Sequence, residues 1–126
     1  MIKNEGIKIM IGENRFYLKN NIIYVTIVGE LNEDIANTMK DAFYRLLDKV
    51  KYKSNIFVDN SKTGKPSPAA RKIFKEMMEH NKVGKIAIFG MNTMARIIAS
   101  FVVGMSKKDN VGIFKNKEKA FSWLIN

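Results

Sequence analysis

The chain has 126 residues, the size of one compact domain of about 100–150 residues, and 46% of them are hydrophobic, enough for a core without metal or disulfide staples. It contains no cysteine, which excludes disulfide frameworks, thiolate nucleophiles and cysteine zinc sites and agrees with a reducing compartment. A formal charge of +10 points toward an acidic partner, either nucleic acid or an anionic membrane surface.

In chain order, "MIKNEGIKIMIGENRFY" is interrupted by Lys3, Asn4, Glu5 and Lys8, so it lacks the apolar core of a secretory signal. Residues 1–14 are read as an extension of a single domain spanning 1–126, with room for an extra strand. No stretch reaches the roughly 18 apolar residues of a membrane span, and the expected location is the cytoplasm. "RFYLK" (15–19) alternates, and Asn20-Asn21 separates it from the β-branched run "IIYVTIVGE" (22–30), a hairpin signature. The next segment has Ile35, Met39, Ala42, Phe43, Leu46, Leu47 and Val50 at helical spacing, with Asn32 as N-cap and Glu33 and Asp34 in the first turn.

"NIFVD" (55–59) predicts a short buried strand, and "PAARKIFKEMMEHNK" (68–82) a helix with Ile73, Phe74, Met77 and Met78 on one face. "KIAIFG" (85–90) and "VGIFK" (111–115) are further strands, and 117–125 a closing helix that buries Ala120, Phe121, Trp123 and Leu124. Between them, 92–105 predicts a helix with two apolar rows: Met94, Ile97, Ile98, Phe101, Val102 and Met105, then Ala95, Ala99 and Val103. The order ββαβαβαβα implies an α/β fold, a mixed sheet of about five strands with about four flanking helices.

The connection 59–67 concentrates the polar candidates. Gly64-Lys65 fails as a phosphate-binding P-loop: Asp59 stands where the first glycine belongs, and Pro66, without an N–H, follows the lysine. Ser67 suits an N-cap and Pro68 the first helical position, while Asp59, Asn60 and Ser61 fit local turns. A second reading gathers Asp59, Ser61, Thr63, Lys65 and Ser67 around an anion at the carboxyl end of a strand. His80, the single histidine, fits helix C-capping or exposure better than catalysis. One histidine and scattered carboxylates offer no metal-ligand spacing, and neither a cofactor nor a catalytic constellation is expected. The lysines are spread along the chain and most aromatics fall on buried phases, so a solvated basic surface is favoured over nucleic-acid binding.

The phrases "IIYVTIVGELNEDIANTMKDAF" (22–43) and "NIFVDNS" (55–61) resemble a STAS domain. "KIAIFGMNTMARIIASFVVGM" (85–105) followed by "VGIFKNKEKAFSWL" (111–124) is similar to its SpoIIAA-like, or STAS/SEC14-like, branch of small bacterial proteins. The resemblance covers about residues 15–126. It implies a mixed sheet flanked by helices and a regulatory, non-enzymatic role. In anti-sigma-factor antagonists of that family a serine in a D-S-[ST]-G motif is phosphorylated. Aligning the strands at Asp59 brings "SPAA" (67–70) onto that motif, with Pro68 about at the acceptor, so the phosphoswitch does not carry over. The SEC14-like side implies an apolar pocket, for which Ile98 and Val102 of the methionine-rich segment are the candidates.

The expectation is a domain that binds a protein partner or a small apolar or anionic ligand through 59–67 and 92–105. The alternative is an anionic-surface binder, at a peripheral membrane or on nucleic acid, and a homodimer is compatible with either.

Overall fold

The computed structural model describes residues 6–92 and 110–126. Six strands form one sheet in sequence order: β1 (Ile7–Ile11), β2 (Asn14–Lys19), β3 (Ile22–Leu31), β4 (Ser54–Pro66), β5 (Val83–Phe89) and β6 (Val111–Phe114). β1, β2 and β3 are an antiparallel meander, and β3 through β6 are parallel. Three helices are described: α1 (Glu33–Leu47), α2 (Pro68–Met78) and α3 (Lys117–Ile125). The helix expected over 92–105 lies outside the described residues.

The mixed α/β class is as expected, with one strand more. β1 comes from the N-terminal extension, where Ile9 and Ile11 pack on the core and Gly12 turns the chain with φ of 59°. The second hairpin is the expected Asn20-Asn21 turn. Both residues have positive φ, 52° and 66°, the left-handed pair that matches strand twist and that asparagine tolerates.

α1 and α2 cover one face of the sheet. Their stripes, including Met39, Phe43, Leu46, Leu47, Ile73 and Met77, meet the inward phase of the strands. Phe16 in β2 is fully buried there, its ring centroid 6.4 Å from that of Phe43. α1 has the predicted cap, Ile35 N–H donating to Asn32 Oδ1 at 2.8 Å. It ends at Leu47, earlier than the apolar pattern suggests, although Val50 still turns inward and is buried. Lys82 holds that end, its Nζ donating to the Leu47 and Val50 carbonyls at 3.2 and 2.9 Å.

α3 covers the opposite face over the parallel strands β4, β5 and β6, where Phe57, Ala87 and Phe89 meet Ala120 and Leu124 and the Phe114 and Trp123 ring centroids lie 5.4 Å apart. On that face the antiparallel half carries Tyr17 and Tyr24, both half-buried. Burial, and then the neighbouring Tyr17 phenol, raise the Tyr24 hydroxyl above its ordinary value of 10.0.

Phe16→Ala should lower stability by about 3–5 kcal/mol in urea unfolding, the cost of emptying a closed aromatic site, while the exposed Tyr52→Ala changes it by less than about 0.5 kcal/mol. Tyr24 binds its proton more tightly folded than unfolded. Its contribution is therefore complete below pH 10.0 and is lost as pH rises through the raised value. In Tyr24→Phe that part of the alkaline loss of stability should disappear, read from unfolding midpoints across the window.

Candidate functional site

β4 does not stop at Asp59. It continues to Pro66 and stays paired with β3, so the expected connection 59–67 is strand for nearly all its length. The reason is two bulges. Between Asp59 and Lys62 the strand has two residues, Asn60 and Ser61, opposite the single Ile27 of β3. Between Thr63 and Pro66 it has Gly64 and Lys65 opposite Glu30. Each extra residue bends and twists the strand and re-aims the side chains beyond it. Gly29, with φ of 77°, provides the left-handed residue beside the second bulge. Gly64 faces it so closely that a Cβ would lie 3.0 Å from Glu30 N and Gly29 C. Turn-forming composition misled the sequence reading here because bulges recruit the same residue types as loops.

The hydroxyls of this stretch are used within the fold. Asp59 Oδ1 accepts from the Ser61 N–H at 2.9 Å and from Ser61 Oγ at 2.6 Å, the predicted local turn. Thr63 Oγ1 donates to Asn60 Oδ1 at 2.7 Å and lies 3.2 Å from the Ile27 carbonyl oxygen. Ser67 Oγ accepts from the Ala70 N–H at 3.1 Å, and the Ser67 N–H donates to the Leu31 carbonyl at 2.9 Å. Pro68 occupies the first turn of α2. Ser67 is thus the N-cap that its sequence suggests, tied at its backbone to β3.

Four of the five described candidates therefore fall into two groups. Asp59 and Ser61 sit in mid-β4 beside the carboxyl end of β5, where Asp59 pairs with Phe89 and Gly90, φ 89°, leaves only backbone against Ser61. Lys65 and Ser67 line a different place, an open cleft of about 490 Å³ between the β3–α1 and β4–α2 junctions. Its other polar walls are Glu30, Asn32 and Arg71, with Pro68 at the edge. Arg71 Nη1 donates to the Pro66 carbonyl at 3.2 Å, which anchors one arm of the guanidinium at the cleft. Thr63, directed back at β3, joins neither group. Ile98 and Val102 lie outside the described residues. Sequence reasoning missed Arg71, whose only signal was its place one turn inside the capped helix.

His80 lies at the end of α2, its backbone N–H donating to the Met77 carbonyl at 3.3 Å, and does not stand free. Its ring centroid is 4.8 Å from that of Tyr44, and its Nδ1 accepts from the Lys82 N–H at 3.0 Å. Among the described residues no group of three or more His, Cys, Asp or Glu is arranged to hold a metal ion. Among them, too, no helix is long and apolar enough to cross a membrane.

Ser67→Ala should lower stability by about 1 kcal/mol and Ser67→Asp should restore most of it, because a carboxylate caps as well as a hydroxyl. Denaturant unfolding of the three proteins checks this.

The fold has close parallels at low identity. An uncharacterised protein from Shewanella loihica with a SpoIIAA-like fold superposes with a TM-score of 0.63 at 14% identity, covering 98% of each chain. A putative anti-sigma factor antagonist from Thermotoga maritima gives 0.65 at 15% identity over 88% of this chain and 93% of its own. The phosphorylated form of the Bacillus cell fate determinant SpoIIAA gives 0.54 at 10% identity over 94% and 97%. No curated protein matches the sequence. The SpoIIAA-like family profile matches residues 22–125, which hold β3 through α3, and the chain belongs to the SpoIIAA-like family.

Proposed function

We propose that this chain is a non-enzymatic interaction module that engages a protein partner through the cleft lined by Lys65, Ser67 and Arg71. The supporting observation is the position of that cleft. It opens where two capped helix starts, Asn32 of α1 and Ser67 of α2, meet the twice-bulged end of β4. Lys65 and the partly anchored Arg71 face Glu30 across it, a mixed polar rim of the kind that docks protein segments, with arginine among the side chains enriched in such contacts.

Relatives of the same fold are anti-sigma factor antagonists, one of them in a phosphorylated form. In this chain the equivalent start of α2 carries Pro68, and the hydroxyl of Ser67 is committed to the cap. The module accordingly works without a phosphate at this helix, its docking surface permanently in one charge state. An apolar small ligand would draw instead on Ile98 and Val102. The anionic-surface alternative draws on the overall charge rather than on the cleft.

A photo-crosslinking residue at position 30, on the opposite wall of the cleft, should capture a discrete protein in cells, and one at exposed Glu79 should not. Lys65→Glu with Arg71→Glu should abolish that adduct without lowering expression. Capture that survives the double charge reversal, or phosphate found by peptide mapping on Ser61, Thr63 or Ser67, contradicts the reading. Native mass spectrometry of the purified protein separates this outcome from a retained small molecule.

A further inference from the structure

The face of β1–β3 opposite α1 and α2 is organised differently from the rest of the surface. Strand alternation sends Ile9, Ile11, Phe16, Leu18, Ile23 and Val25 into the core on one side. The other side receives Lys8 and Met10 from β1, Arg15, Tyr17 and Lys19 from β2, and Ile22, Tyr24 and Thr26 from β3. The register makes these a grid. Lys8, Tyr17 and Tyr24 lie side by side across the strands, and Met10, Arg15 and Thr26 form the adjacent row.

Two features of the grid matter. First, Tyr17 and Tyr24 have ring centroids 6.1 Å apart, and Tyr24 meets Phe57 edge-on at 5.9 Å. The aromatic row thus runs from under α3 outward onto open sheet. A side chain at Gly6 would run into the Tyr17 ring, so the glycine leaves that ring room to lie across the strands. Second, Arg15 and Lys19 bracket Tyr17 along β2, each two residues away, roughly 7 Å on an extended strand. Lys8 stands beside it on β1. No aspartate or glutamate projects from this grid. The nearest carboxylate, Asp59, lies opposite Thr26 and is held by the Ser61 N–H and hydroxyl. Glu13 and Glu30 lie beyond it, in the β1–β2 turn and near the end of β3.

We propose that this open face binds single-stranded nucleic acid, with a base stacking on Tyr17 beside Tyr24 and phosphates on Lys8, Arg15 and Lys19. A flat sheet that offers aromatic faces between cations suits a polyanion with planar, unpaired bases, because every base has a face to stack and every linkage a charge to neutralise. A lipid surface fits the same charge less well. Of the apolar side chains on this face only Met10, 52% exposed, stands well clear, and the tyrosines lie in the sheet rather than projecting from it. The grid is separate from the Lys65–Arg71 cleft, and the inference does not depend on the function proposed for that cleft.

Fluorescence anisotropy with a short fluorescein-labelled oligouridylate tests it on the intact protein. Binding should weaken with salt at a log–log slope of about −2, three phosphates at about −0.7 each on a single strand. Tyr17→Ala should weaken it roughly fivefold to a hundredfold, the range for loss of one stacked base, whereas Tyr17→Phe, which keeps the ring, stays near wild type. Arg15→Glu with Lys19→Glu should abolish binding and the salt dependence. Lys117→Glu with Lys119→Glu, an equal charge change on α3, and Lys65→Glu with Arg71→Glu should both leave it within about twofold, since neither pair touches the stacked base. Circular dichroism confirms that each variant is folded. The inference is overturned by equal losses in the α3 control, by Tyr17→Ala binding as wild type, or by absence of oligonucleotide binding at low salt. Capture on phosphatidylglycerol vesicles by this same face, without oligonucleotide binding, overturns it in favour of a membrane.

Discussion

The pairing of β4 with β3 through two bulges is the constraint on which the rest of the molecule rests. Without the extra residues β4 would leave the sheet near Asp59, and α2 would start from a loop. With them, the strand follows β3 to its end, and Ser67, the next residue, donates its N–H to the last residue of β3 while its side chain caps α2. The start of α2 is thereby set against the start of α1. On the other edge of β3, Asn14 Oδ1 accepts from the Val28 N–H at 2.8 Å, beyond the last β2–β3 pair of Arg15 with Thr26. A buried side-chain amide replaces the backbone partner that β2 no longer supplies, so that donor is not orphaned.

The same constraint fixes what opens α2. Here the first helical residue is proline, and the hydroxyl before it is bonded to the helix it caps.

The two faces of the sheet divide the labour. One is closed by α1 and α2 and holds most of the buried apolar volume. The other is closed by α3 over β4, β5 and β6, leaving the antiparallel half with aromatic and basic side chains but no carboxylate in the grid. A charge of +10 spread evenly along a sequence becomes directional once alternation sends lysines and arginine to one side of three adjacent strands.

Much of this was legible in the sequence because it depends on neighbours. Helix periodicity, the Asn32 and Ser67 caps, the Asn20-Asn21 turn and the Asp59–Ser61 turn are all decided within a few residues, and each is present. So were the mixed α/β class and the family resemblance, since the order of elements sets the crossovers. What the sequence could not determine depends on partners far along the chain. The extension of β4 to Pro66 needs β3 beside it, and polar, glycine-containing residues read alike as loop or bulge until that partner is known. The split of Asp59 and Ser61 from Lys65 and Ser67 follows from the bend those bulges impose. Tyr17 and Tyr24 are apolar-phase residues by composition and open-face residues by register, because which side of a sheet is covered is decided only by where the helices pack.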